Sequence, residues 1–157
     1  MTRRPLLALL CTLGLAPKVS SAQAPAPQIE PLRLADAEWK KRLSADAYAV
    51  LRQDGTERAG TSPLDHEKRK GTFRCAGCEL ALFSSDTKFD SGTGWPSFFT
   101  SLPGAVVTKT DFKLIVPRTE YHCARCEGHQ GHVFDDGPKP TGKRYCNNGV
   151  ALKFVPA

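Results

Sequence analysis

The sequence predicts a mainly β fold, an antiparallel body preceded by a small helical segment. Two observations carry this. From Thr72 onward, short strand-like runs are separated by Gly and Pro turns. Between Ala35 and Gly55, apolar residues instead recur at helical spacing behind capping residues.

In chain order, residues 1–22 open with Thr2, Arg3 and Arg4, continue through an apolar run from Leu6 to Ala16, and end in Ser20, Ser21 and Ala22. This is the layout of a secretory signal peptide cleaved after Ala22, and the apolar run is too short to span a bilayer. TRRPLL also fits a twin-arginine signal, with an ordinary secretory signal as the equal alternative. Leu10 before Cys11 makes a poor lipidation site. The expectation is an exported, periplasmic protein with no membrane attachment once the leader is cut. Residues 23–34 are a proline-rich linker, extended and flexible, and residues 35–157 form the folded body.

Within the body, Asp36 is expected to cap DAEWKKRL and Ser44 to cap ADAYAVLRQ, with Gly55 as the stop. Trp39, Leu43, Tyr48 and Leu51 form the side that docks on the core. Residues 56–71 read as a polar surface loop. Strands are expected over Thr72–Arg74, Leu80–Phe83, Ala105–Lys109, Phe112–Val116, Glu120–His122, His132–Phe134, Arg144–Cys146 and Val150–Val155. In the last, Val150, Leu152 and Phe154 face one way and Ala151, Lys153 and Val155 the other. Asn147-Asn148-Gly149 reads as a hairpin turn that places Cys146 at the rim of a sheet.

The formal charge is +6; without Arg3, Arg4 and Lys18 in the leader, 19 basic residues face 16 acidic ones, leaving +3. A balance so small, with its basic residues scattered, argues against a nucleic-acid partner.

The cysteines are patterned. FRCAGCE and YHCARCE echo one another, each with an aromatic two residues ahead of the first cysteine and Glu after the second. Two such C-x-x-C turns can aim four thiolates at one ion, so Cys75, Cys78, Cys123 and Cys126 are candidate ligands of a closed, structural Zn2+ site. Disulfides, a redox pair or unrelated structural cysteines are the alternatives. The wide spacing between Cys78 and Cys123 would make the metal a clip between distant hairpins.

Cys146 stands alone. Beside Arg144, near Asn148 and with histidines elsewhere, it has the makings of a thiolate nucleophile; the bland alternative is a small buried hydrophobe. His129 and His132, with Asp136 able to orient one of them, can supply protons. Trp95 is held between Gly94 and Pro96 as a rigidly presented indole, a placement that by itself is more often core or interface than pocket wall. Arg118, Thr119 and Glu120 lead into the second C-x-x-C turn, His122 neighbours that turn without being a ligand, and His66 is a surface residue.

C-x-x-C, SGTGWPSF, RTE, GHQGHVFDDGP and RYCNNG, in this order, resemble the methionine-R-sulfoxide reductases of the B type, over about residues 56–154. The resemblance implies two antiparallel β-sheets, a structural zinc held by Cys75, Cys78, Cys123 and Cys126, and Cys146 as the nucleophile. It further implies Trp95 against the substrate methyl group, with His129, His132, Asp136, Arg144 and Asn148 shaping the pocket and its proton supply. The substrate would be methionine sulfoxide, free or in oxidised proteins, and the role protein repair under oxidative stress. Two departures stand out. Thr93 occupies the place where many such enzymes carry a resolving cysteine, which implies a one-cysteine enzyme recycled by an external thiol or a thioredoxin-like partner. Asn147 replaces a usually apolar residue. A monomer is expected. A zinc-ribbon-like binding module would account for the four cysteines but not for Cys146, Trp95 and the histidines.

Overall fold

The computed structural model describes residues 29–113 and 116–157, so the leader read over residues 1–22 and the start of the linker lie outside the described residues. Two short helices come first, α1 (Asp36–Arg42) and α2 (Ala45–Gln53). Ser44 caps α2, its hydroxyl accepting the Ala47 N–H at 3.2 Å. Asp36 does not cap α1: it lies in the first turn, where its carboxylate pairs with Lys40 at 2.8 Å and complements the helix dipole. α2 ends at Asp54 in the left-handed conformation, after which the Gly55 N–H returns to the Ala49 carbonyl. Trp39 and Leu51 are buried, and Leu43 and Tyr48 pack partly against the same core. Among the described residues no helix is long and apolar enough to cross a membrane.

Nine strands follow among the described residues: β1 (Gly71–Cys75), β2 (Ala81–Ser84), β3 (Lys88–Phe89), β4 (Ser97–Phe98), β5 (Val106–Asp111), β6 (Arg118–Cys123), β7 (His129–Phe134), β8 (Arg144–Asn147) and β9 (Leu152–Pro156). They form two antiparallel sheets, a small one in the order β2-β1-β9 and a large one in the order β3-β4-β8-β7-β6-β5. The mainly β expectation with a helical N-terminal segment therefore holds.

Aromatic side chains join the sheets. Phe73, Phe83 and Phe154 come from the small sheet, Phe98, Tyr121 and Tyr145 from the large one. Phe83 stacks on Phe98 at 4.2 Å between centroids, Phe73 meets Phe98 edge-on at 4.9 Å, and Tyr121 meets Tyr145 edge-on at 5.2 Å. Such offset and edge contacts add to the large apolar area that each ring buries.

Two expectations change. Asn147-Asn148-Gly149 is not a hairpin turn, because β8 and β9 belong to different sheets; a single 3-10 turn, Gly149–Ala151, carries the chain across, and the last strand starts at Leu152. Cys146 accordingly sits on an interior strand between β4 and β7, not at a rim. The strand expected over Phe112–Val116 is absent at its described residues. Asp111 pairs with Arg118 as the last rung of the β5–β6 ladder, which ends β5 before Phe112.

Candidate active site and metal centre

The pleat of β8 separates its residues by face. Tyr145 and Asn147 point into the core, and Arg144 and Cys146 point to the outer face of the large sheet. The register continues the pattern: His132 is the cross-strand partner of Cys146, Glu120 of His132, and Lys109 of Glu120. In a regular strand His129 and His132, three apart, would face opposite ways. A bulge where β7 meets β6, with Tyr121 opposite Gly131 but His122 opposite His129, brings both rings to one side, 5.5 Å apart. Gly131 is needed there because a Cβ would lie 1.9 Å from the Cys146 carbonyl oxygen.

A pocket of about 230 Å³ opens on this face, with Cys146, His132, Trp95, Asn148, Arg118 and Thr56 among its walls. Asp111, only 6 % exposed, accepts from Arg118 at 2.8 Å and lies 2.7 Å from His132 Nε2. The Lys113 backbone N–H, His132 and Arg118 together hold its carboxyl below the usual carboxylate range. Burial pushes His132 below its ordinary value, and the Asp111 bond opposes that shift. Burial likewise pushes the Cys146 thiol up, against the Arg144 charge and hydrogen bonds from Thr93 and Arg144.

Asp136 does not orient a histidine. It forms a two-pronged ion pair with Arg144, both contacts 2.8 Å, while the guanidinium lies over the Phe134 ring. His129 is 2 % exposed and sits behind the pocket, its Nδ1 2.8 Å from Glu120, whose other oxygen meets Lys109 at 3.1 Å. Asp54, Glu120 and His129 could in principle hold a cation. Lys109 on Glu120 and Lys113 on Asp54 already neutralise both carboxylates, which makes the group an ion-pair network. Asn147 is fully buried on the core side, accepting from Tyr121 Oη at 2.7 Å.

The two C-x-x-C turns are built alike. Glu79 and Glu127, each after the second cysteine, adopt positive φ of 63° and 59°, and their N–H groups return to the carbonyls of Cys75 and Cys123. All four cysteines are buried, with their sulfurs within 4.8 Å of one another and close approaches of 3.6 Å (Cys75–Cys126) and 3.5 Å (Cys78–Cys123). An ion at about 2.3 Å from four sulfurs gives tetrahedron edges of about 3.8 Å, whereas a disulfide needs about 2.05 Å. The cluster therefore fits a closed metal site. Cys75 comes from the small sheet and Cys123 from the large one, so the site joins the two. His122 stays outside the cluster.

The SelR domain matches residues 43–156, which takes in the metal cluster, the pocket and both sheets. The chain belongs to the SelR family. A "Peptide methionine sulfoxide reductase MsrB" of Agrobacterium fabrum is 52% identical to the SelR domain here over 122 residues, 77% of this chain and 90% of the relative. One of Leptospira interrogans is 52% identical over 120 residues, 76% of this chain and 92% of its own. "Peptide methionine sulfoxide reductase B1, chloroplastic" of rice is 53% identical over 122 residues, 77% of this chain but 57% of the relative, so the chain spans less than two-thirds of that protein. Among solved structures, the Mis18 "Yippee-like" domain covers 57% of the chain and 98% of its own length at TM-score 0.44 and 16% identity, too slight a likeness to bear on the fold.

The SelR domain thus gathers Cys146, His132, Trp95 and Asn148 around one pocket, with Arg144 and His129 outside its lining and the exposed Asp136 held on Arg144. Sequence reasoning missed Asp111, which lies outside the motifs, and Glu57, hidden in a stretch read as a surface loop.

Proposed function

We propose that this SelR domain reduces methionine-R-sulfoxide to methionine, with Cys146 as nucleophile. The reading is carried by Cys146 and His132 as cross-strand partners in one pocket walled by an indole. A soft sulfur nucleophile and a proton donor are what a sulfoxide needs, because oxide does not leave unprotonated. The Cys146 sulfur attacks the sulfoxide sulfur, and the S–O bond breaks as oxygen is protonated. Thiol and sulfoxide go to sulfenic acid and thioether, so Cys146 is oxidised and methionine released. Two external thiols then return Cys146 to the thiol, giving a disulfide and water.

In this scheme His132, held by Asp111, is placed for the proton, Trp95 packs on the S-methyl group, and Arg144 favours the thiolate. Thr93 near Cys146 supports a one-cysteine enzyme recycled by a small thiol or a thioredoxin-like protein. Zn2+ is the proposed ion, on the strength of the four-thiolate donor set; its contribution is structural, joining the sheets. The wider reading is a monomeric, periplasmic repair enzyme acting on oxidised proteins and free methionine sulfoxide, with a cleaved leader at residues 1–22, a linker at 23–34 and the enzyme at 35–157.

The test is turnover of the separate R and S sulfoxides of a blocked methionine with a chemical dithiol, beside Cys146→Ser. R-selective reduction that vanishes in the variant is expected. Metal-loaded protein inert towards both isomers would sink the proposal.

A further inference from the structure

The pocket has two walls that come from distant parts of the chain, the Trp95 turn and the Asn148–Val150 crossover, and one residue outside every family-like motif touches both. The Glu57 N–H donates to Asn148 Oδ1 at 2.9 Å, and the Glu57 carbonyl accepts the Trp95 Nε1–H at 3.2 Å. Its carboxylate accepts the Gly149 N–H on one oxygen and the Val150 N–H on the other, the latter at 3.0 Å. Every hydrogen-bonding group of Glu57 is thus spent on holding the walls.

The neighbouring residues act in the same sense. The Gly60 N–H donates to the Gly94 carbonyl at 2.7 Å, beside Trp95, and the backbones are so close that a Cβ on Gly94 would lie 2.7 Å from the Gly60 nitrogen. Ser62 packs on the crossover, its hydroxyl only 1.8 Å from where a Cβ on Gly149 would stand. Residues 56–62 therefore form a strap joining the Trp95 turn to the crossover, with Thr56 itself in the lining.

We propose that Glu57 is a positioning residue that fixes the spacing between the Trp95 indole and Asn148, and so sets which S-alkyl group the pocket admits. The inference rests on the reductase reading and specifies its substrate selectivity. Among the described residues the carboxylate is the one side chain of the strap that hydrogen-bonds the crossover. Without it the main-chain bonds of Glu57 to Asn148 and Trp95 lose their anchor on the Gly149 and Val150 amides, the spacing between the indole and Asn148 relaxes, and the slot for a methyl group widens. A hot spot of this kind acts on substrate fit more than on the bond-breaking step.

The test compares wild type, Glu57→Ala and Glu57→Gln on the R sulfoxides of blocked methionine and of its S-ethyl homologue. For Glu57→Ala, KM for the methyl substrate is expected to rise about tenfold with kcat within about threefold, and the ethyl-to-methyl ratio of kcat/KM to rise at least about threefold. Glu57→Gln, which can accept only one of the two amides, should fall between. In a Trp39→Phe background, acrylamide quenching of the remaining Trp95 should increase in Glu57→Ala whether or not turnover is measured. Unchanged selectivity and unchanged quenching in a folded variant would overturn the proposal. If Glu57→Ala does not fold, Glu57→Gln decides by the same two readouts. A wild type that reduces neither substrate defeats the reductase reading, while the quenching comparison still reports on the strap.

Discussion

Replacing Tyr121 by Phe removes one hydroxyl from the middle of the aromatic core. That hydroxyl donates to Asn147 Oδ1 at 2.7 Å, and both residues are completely buried. Asn147 keeps its donors engaged, Nδ2 giving to the Asn148 carbonyl at 2.8 Å and approaching Gln130 Oε1 at 3.5 Å, so the loss falls on its oxygen. An orphaned buried acceptor costs about 1–3 kcal/mol. At about 2–4 °C per kcal/mol for a domain of this size, Tm should fall by about 5 °C. Adding Asn147→Leu to Tyr121→Phe removes the stranded oxygen as well, and the Asn148 carbonyl still receives the Ala151 N–H. The double variant should then be less destabilised than the sum of the singles, with a coupling of about 1 kcal/mol. Calorimetry or urea titration of the metal-loaded protein reads both quantities. A Tm for Tyr121→Phe within about 1 °C of wild type, or strict additivity, would refute the account of Asn147 as a core hydrogen-bonding residue.

Three further outcomes are expected. Asp111→Asn removes the anion that props up the His132 pKa, which burial has already lowered. A step needing protonated His132 is lost as pH rises through that pKa, so the alkaline limb of kcat should move to lower pH and kcat at neutral pH should drop about tenfold; an unmoved limb would exclude His132 as the proton donor. Arg144→Met removes the cation that opposes burial at Cys146. The thiol pKa should climb further, moving the pH midpoint of iodoacetamide alkylation upward, and a downward shift would contradict the assignment. Stripping the metal with a chelator, or Cys123→Ser, should lower Tm by at least about 10 °C and abolish near-ultraviolet dichroism, because the cluster links the sheets. Survival of the fold without metal would show the link to be dispensable.

The sequence was most informative where chemistry imposes local spacing. The echoed C-x-x-C turns exposed four thiolates at one point, and Ser44, with its hydroxyl on Ala47, marked a helix start. It was least informative where partners are long-range. β3 and β4 have two residues each, too few for a period to show, yet β4 flanks the Cys146 strand. Asn147-Asn148-Gly149 has the composition of a hairpin turn, but Glu57 and Ser62, some ninety positions away, draw it into a crossover. His132 was visible as a candidate, whereas Asp111, which orients it, becomes its neighbour only through the β5–β6–β7 register.

β1 lies in the middle of the small sheet, between β2 and β9, and its Gly71 pairs with Pro156 at the far end of the body. The centre of that sheet is therefore half-open until β9, far along the chain, arrives. Cys146 precedes that segment by a few residues, and the crossover joining them carries Asn148. Contacts of such long sequence separation form late, after their loop-closure entropy has been met. A nascent chain thus carries both C-x-x-C turns before it carries the strand and crossover that bring Cys146 and Asn148 to the pocket.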